Sequence, residues 1–273
     1  LAHGCGGSAT DFFDPSPGCE GCIGQPVERL VVRSALKRGL AVVAVSSSDR
    51  EGSRCWGRED KDGVLHALGS VMEAQNLRGK KVIALGASSG GAFVGEFAAS
   101  LSKGHPLAPK AVAVQIMGVS DHAVSVPRFP PAVFWHMPRD ERVSAMVQRN
   151  IAALKKRYSP VLEQHCNPLP LADSFFSDWT EAITPDASAG MVSALRSAGL
   201  LDPSSFLLAD PRVHSREWQR ALRSVPAVKE GNVSLVENRA AVPELLNTAY
   251  AQHSWCVEGI EGVLDFLVKH AGV

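Results

Sequence analysis

The chain contains no apolar run approaching the roughly 20 residues that a membrane-spanning helix requires. It also does not open on the charged-then-apolar pattern of a secretory leader, so the sequence as given reads as soluble. Net charge is missing too: 28 acidic and 28 basic residues cancel, leaving no global field to recruit nucleic acid or anionic lipid. The small basic cluster Lys155-Lys156-Arg157 reads as a solvated helix end. Cys19-Glu20-Gly21-Cys22 has no second CxxC or HxxxH to complete a zinc set, and no nucleotide fingerprint occurs, so neither a metal nor a cofactor is expected. There is no internal repeat and no low-complexity tract.

Six cysteines are too few for a disulfide scaffold in 273 residues, yet they permit up to three bridges and lean toward a secretory or endomembrane compartment. Cys19 and Cys22 lie in a Pro/Gly-rich loop rather than at a helix start after a strand. They read as a structural disulfide or loop thiols before a redox pair. An initiator Met is absent, and Leu1-Ala2-His3-Gly4 reads as the end of a strand running into a loop. A preceding segment is therefore expected, and localisation cannot be argued from the missing leader.

Apolar residues make up 45% of the chain and charged residues 21%, ordinary proportions for a globular enzyme, and the length suits one α/β domain with an insertion. The run LAVVAV at Leu40–Val45 predicts a strand buried on both faces. Shorter runs at Val82–Leu85, Ala111–Ile116, Ala132–Trp135 and Val161–His165 predict four more. Between them, helical spacing marks Val31–Leu36, Val64–Leu77, Ser89–Leu101 and Arg142–Lys156. This alternation predicts an α/β fold with a doubly wound, mostly parallel sheet over residues 1–166. From 167 to 243 the alternation stops, and short helices with one weak strand-like stretch, NVSLVE, read as a helical cap. Residues 244–273 return to the core as two helices flanking a turn.

Gly86-Ala87-Ser88-Ser89-Gly90 fits G-x-S-x-G between a buried strand and a small-residue helix, the setting in which a nucleophilic serine sits on a sharp turn. Upstream, His3-Gly4-Cys5-Gly6-Gly7 has the glycine content of a loop whose amides approach an oxyanion. Cys5 or Gly6 together with Ser89 are the expected donors. With these two motifs the chain resembles the α/β-hydrolase superfamily. HGCGGSATDFF is similar to the loop of the poly(hydroxyalkanoate) depolymerase and feruloyl-esterase-like branch. HGC, CxxC, GASSGG and HMPxD in this order look like a group of plant α/β-hydrolase-like proteins.

The resemblance implies cleavage of an ester or related acyl bond in a small-molecule substrate through a serine-bound intermediate. Asp140, where FWHMPRDERV runs from strand to loop, stands where that superfamily places its acid, with Asp121 the alternative. The base must follow the acid. His253, in a turn before the closing helix, is favoured over His270, His214, His165 and His136. The expected mechanism has Asp140 orient His253, which deprotonates Ser88. A ligand-binding protein of hydrolase descent, and a lyase or transferase using the same residues, are the competing classes. Phe175, Phe176 and Trp179, with Phe206 and Trp218, are candidate pocket lining weighed against ordinary inward packing. Nothing in the sequence bears on oligomeric state.

Overall fold

The computed structural model describes residues 1–102, 104–236 and 240–273. Four of the predicted strands form as β1 (Val82–Ala87), β2 (Pro109–Gln115), β3 (Ala132–His136) and β4 (Val161–His165). They pair in the order β1-β2-β3-β4, every pair parallel. Parallel neighbours need crossovers, and α3 (Ser89–Ser100), α4 (Asp121–Ser125) and α5 (Glu141–Lys155) lie in the three connections.

Strand alternation sends each strand's side chains to two separate cores. Val112, Val114, Ala132 and Phe134 join Phe93, Val94 and Phe97 of α3 and Val143, Val147 and Ile151 of α5, with Val64 and Leu65 of α2 (Asp60–Ala74) packed against them. Ala111, Ala113, Val133 and Trp135 face the other way. There they meet α1 (Pro26–Lys37), α10 (Ala241–Tyr250) and α11 (Ile260–Ala271) through Val31, Leu245, Leu246 and Leu267. The protein is thus α/β, a four-stranded parallel sheet with helices on both faces. Phe134 and Trp135 have no exposed surface, and burying each such side chain contributes about 1.5–3 kcal/mol.

The segment Leu40–Val45 departs from expectation. It forms no strand beyond an isolated bridge at Val45, and most of it is partly exposed rather than buried on both faces. Leu1 and Ala2 lie between it and β1. The Leu1 amino group donates to the Val43 carbonyl (2.6 Å) and Val45 N–H to Leu1 (3.1 Å). On the other side, Ala2 N–H donates to Leu85 (2.9 Å) and Ala87 N–H to Ala2 (3.2 Å).

After β4 the described chain forms α6 (Phe175–Trp179), α7 (Pro185–Ser197), α8 (Ser215–Leu222) and α9 (Pro226–Lys229). These helices send Phe176, Met191, Leu195 and Leu222 into the same core as α10 and α11. The strand expected at NVSLVE is not formed over residues 232–236, and Glu237 lies outside the described residues. No helix among the described residues is long and apolar enough to cross a membrane.

Candidate active site

Ser88 is the single residue between β1 and α3, and it adopts φ 53°, ψ −120°, a region that non-glycine residues rarely occupy. Such a conformation costs about 1–3 kcal/mol and persists only where the surroundings dictate it. Here Ser88 N–H donates to the Gln115 carbonyl at the end of β2 (2.9 Å), and Ala92 N–H donates back to Ser88 (3.0 Å). Two glycines make the turn possible. A Cβ on Gly86 would stand 2.3 Å from the Gly90 carbonyl oxygen, and one on Gly90 would stand 2.3 Å from that of His3. Strand, helix and the loop after Ala2 therefore meet backbone to backbone.

Across this turn lies His253, whose Nε2 is 2.9 Å from Ser88 Oγ and whose Nδ1 is 2.7 Å from Asp140 Oδ2. With the carboxylate accepting from Nδ1–H, Nε2 keeps the lone pair that faces the serine hydroxyl. Asp140 is also the N-cap of α5, its Oδ1 accepting from Val143 N–H (3.0 Å), so both oxygens are committed and the carboxylate cannot swing. The His253 turn is held from several sides. Arg212 donates to the His253 carbonyl (3.0 Å), and Arg139 donates to that of Tyr250 (2.8 Å) while its guanidinium lies 4.5 Å from the Tyr250 ring centroid. The buried Gln115 side chain donates to Cys256 O (2.9 Å) and accepts from Cys256 N–H (3.2 Å), and a disulfide joins Cys256 to Cys166 after β4.

The alternatives weighed from sequence lie elsewhere. Asp121 is exposed in the first turn of α4. His136 is bonded to Ser144 and Glu163, His214 faces Glu217, and His270 lies tilted against the Phe266 ring.

The glycine-rich loop arrives beside Ser88 by way of a buried His3. Its Nε2 accepts from Ser47 N–H (3.1 Å), which leaves Nδ1–H to donate to Gly4 (2.6 Å), and burial lowers its pKa. Trp56 Nε1–H donates to the His3 carbonyl (2.9 Å), and Cys5 is bridged to Cys55. Cys5 is exposed, so the bond fastens the loop without using its amide. Gly6 corrects the sequence reading: its N–H donates to Ser53 (2.9 Å) and is not available as an oxyanion donor. The Cys5 and Ser89 amides have no acceptor among the described residues. Cys19 and Cys22 form the third disulfide.

Ser88, His253 and the loop line a cavity of about 430 Å³, within the range for small-molecule sites. Phe175, Phe176, Trp179 and Phe206 do not line it. Phe175 and Phe176 pack edge to face, their centroids 5.3 Å apart, in the core beneath α6, with Trp179 partly buried against it. The aromatic wall is Trp218, one of the candidates, together with Trp255, which the sequence reading passed over. Also passed over were Glu28 and Glu244, which line the cavity with Asp11, Gln25 and Asn247. Burial raises the Glu28 carboxyl well above the usual range, with Glu244 adding to the effect, and burial pushes that of Glu244 up to about 7. Outside the cavity, His136, Glu163 and His165 bring ligand atoms within 4.8 Å of one another, a three-residue set able to hold a metal that no spacing motif foretold. It arises because His136 and His165 are register partners across β3 and β4.

No protein-family model, no curated protein and no solved structure matches the chain.

Proposed function

We propose that the protein is a serine hydrolase that cleaves a carboxylic ester, with Ser88 as nucleophile, His253 as general base and acid, and Asp140 as the group that orients the imidazole. The observation that carries this reading is the hydrogen-bonded chain from Ser88 Oγ through His253 to Asp140 at the mouth of a cavity, with the serine on a strained strand-to-helix turn. On this reading the architecture is that of an α/β-hydrolase, with residues 167–243 as its cap.

In the forward half-reaction, Ser88 Oγ attacks the ester carbonyl carbon while His253 Nε2 takes the hydroxyl proton. Negative charge develops on the carbonyl oxygen. The unengaged amides of Cys5 and Ser89, the latter at the start of α3, are placed to receive it. Collapse of the tetrahedral intermediate breaks the bond to the alcohol oxygen, which takes the proton from His253 and leaves an acyl-serine. A water molecule then loses its proton to His253, attacks the acyl carbon, and the carboxylic acid departs as Ser88 recovers its proton.

A chain-length series of p-nitrophenyl esters tests the proposal. Hydrolysis that Ser88→Ala reduces by three orders of magnitude or more supports it, since removing the nucleophile leaves only binding and oxyanion contributions. Equal rates for wild type and Ser88→Ala contradict it. Ligand binding without turnover would favour the receptor-type alternative.

A further inference from the structure

We propose that His136, Glu163 and His165 form a binding site for a divalent transition-metal ion of the Zn²⁺ class, between the edge of the sheet and α5. None of the three lines the cavity beside Ser88, so the site is separate from the hydrolase reading and does not depend on it.

The strands build the site through their register. In the parallel pair of β3 and β4, Phe134 is the partner of Glu163 and His136 the partner of His165. Side chains two apart along a strand share a face. All four therefore point to the side on which Phe134 shares a core with Val143 and Val147 of α5. From the other side of the gap, α5 contributes Ser144 and Gln148, about one helical turn apart.

His136 Nε2 and His165 Nε2 each lie 3.0 Å from Glu163 Oε1, and Gln148 Nε2 lies 2.5 Å from the same atom. Three nitrogens thus converge on one carboxylate oxygen, which offers only about two lone-pair sites. As a hydrogen-bond network the cluster holds more donors than its acceptor can serve. An ion at the point of convergence resolves this, because each imidazole then turns a lone pair rather than an N–H toward the centre.

The spacing suits that ion. Bonds of about 2.0–2.1 Å in a tetrahedral set hold the ligand atoms roughly 3.3 Å apart. Each 3.0 Å gap between nitrogen and oxygen therefore needs to open by only a few tenths of an ångström. All three ligand atoms already lie within 4.8 Å of one another. Ser144 Oγ, 3.1 Å from His136 Nδ1, fits both states of the ring. A hydroxyl donates to a bare Nδ1 and accepts from the Nδ1–H that metal binding at Nε2 requires.

Exposure rises across the set, from 3% for the His136 side chain through 29% for Glu163 to 49% for His165. The buried imidazole is fixed, and the exposed one gives a hydrated ion its way in. Two nitrogen ligands select against Mg²⁺ and Ca²⁺, which take oxygen. Bound here, the ion fastens β4, the last strand in the sheet order, to β3.

The test starts from wild-type protein freed of metal with a chelator and held at about pH 7.5, where imidazoles are largely neutral. Zn²⁺ alone, at a hundredfold excess over its calorimetric Kd, should raise the melting temperature by about 5 °C, and the same concentration of Mg²⁺ should leave it unchanged. His165 is half exposed, so His165→Ala leaves the core intact. That variant should weaken Zn²⁺ binding by about a hundredfold or more, and Ser144→Ala, which removes only the group orienting His136, by about tenfold. Absence of Zn²⁺ binding by wild type overturns the proposal without any variant. Zn²⁺ binding that survives both His165→Ala and Glu163→Gln places the ion elsewhere and overturns it too.

Discussion

Asp140 carries two tasks through its two oxygens, one facing His253 Nδ1 and the other capping α5. Asn can still cap a helix about as well as Asp, but it cannot fix the imidazole tautomer as a carboxylate does. Asp140→Asn should therefore cost about 10⁴-fold in kcat while changing unfolding free energy by only a few tenths of a kcal/mol, about the cost of a near-equivalent cap. Steady-state kinetics and denaturant melts on one preparation separate the two effects, and a large stability loss with intact kcat would contradict this division.

Glu244 makes a prediction of opposite character. Its pKa is raised from 4.5 to about 7, so the folded state holds a proton that the unfolded chain would release. The stabilising contribution is complete below about pH 4.5 and is lost as pH rises through about 7. Glu244→Gln should then stabilise the protein at pH 8 by about 1–3 kcal/mol and leave it little changed at pH 5. Thermal melts at the two pH values check this, and an equal shift at both would refute it. At this scale Ser88, Asp140 and His253 were legible because each stands in a patterned neighbourhood: a glycine-flanked turn, a strand end, a turn before the last helix. Glu28 and Glu244 were not, because a glutamate on a helix reads the same whether it faces solvent or a cavity. Gly6 was misread because its acceptor, Ser53, lies on a loop that no local pattern connects to it.

Among the elements, the sheet was the most legible part, since β2 and β3 are apolar on both faces and need helices on both sides. Leu40–Val45 has a similar composition, yet a strand requires a neighbouring ladder as well as a sequence, and this segment makes one isolated bridge, from Val45 to Ala2. The cavity wall escaped prediction for a similar reason: Trp218 and Phe176 both occupy short amphipathic helices, and which one reaches the cavity depends on how α6 and α8 dock. The turn around His253 has no regular structure before α11 and is held by Gln115, two arginines and the Cys166–Cys256 bridge, whose partners are 90 residues apart. Replacing both cysteines with Ser should lower unfolding free energy by about 2–4 kcal/mol. On the hydrolase reading it should also reduce ester hydrolysis further than a Cys19/Cys22 replacement does, because only the first bridge is attached to the turn that carries His253. Paired melts and kinetics on the two double variants test this, and equal loss of activity would count against it.

At the scale of the whole molecule, a parallel sheet, a strained turn at its edge and a histidine from near the end of the sequence meet at one place. Alternation of strands and helices made the α/β architecture readable. The packing of residues 167–236 into the core shared by α10 and α11 was not readable, because it depends on contacts between segments with no shared periodicity. The most direct test of the central claim is fluorophosphonate treatment of the folded protein, read by intact mass and peptide mapping. A single covalent adduct on Ser88, absent from Ser88→Ala and slowed at least a hundredfold in His253→Ala, is the predicted result. No adduct on folded protein, or an adduct that survives Ser88→Ala, would contradict it.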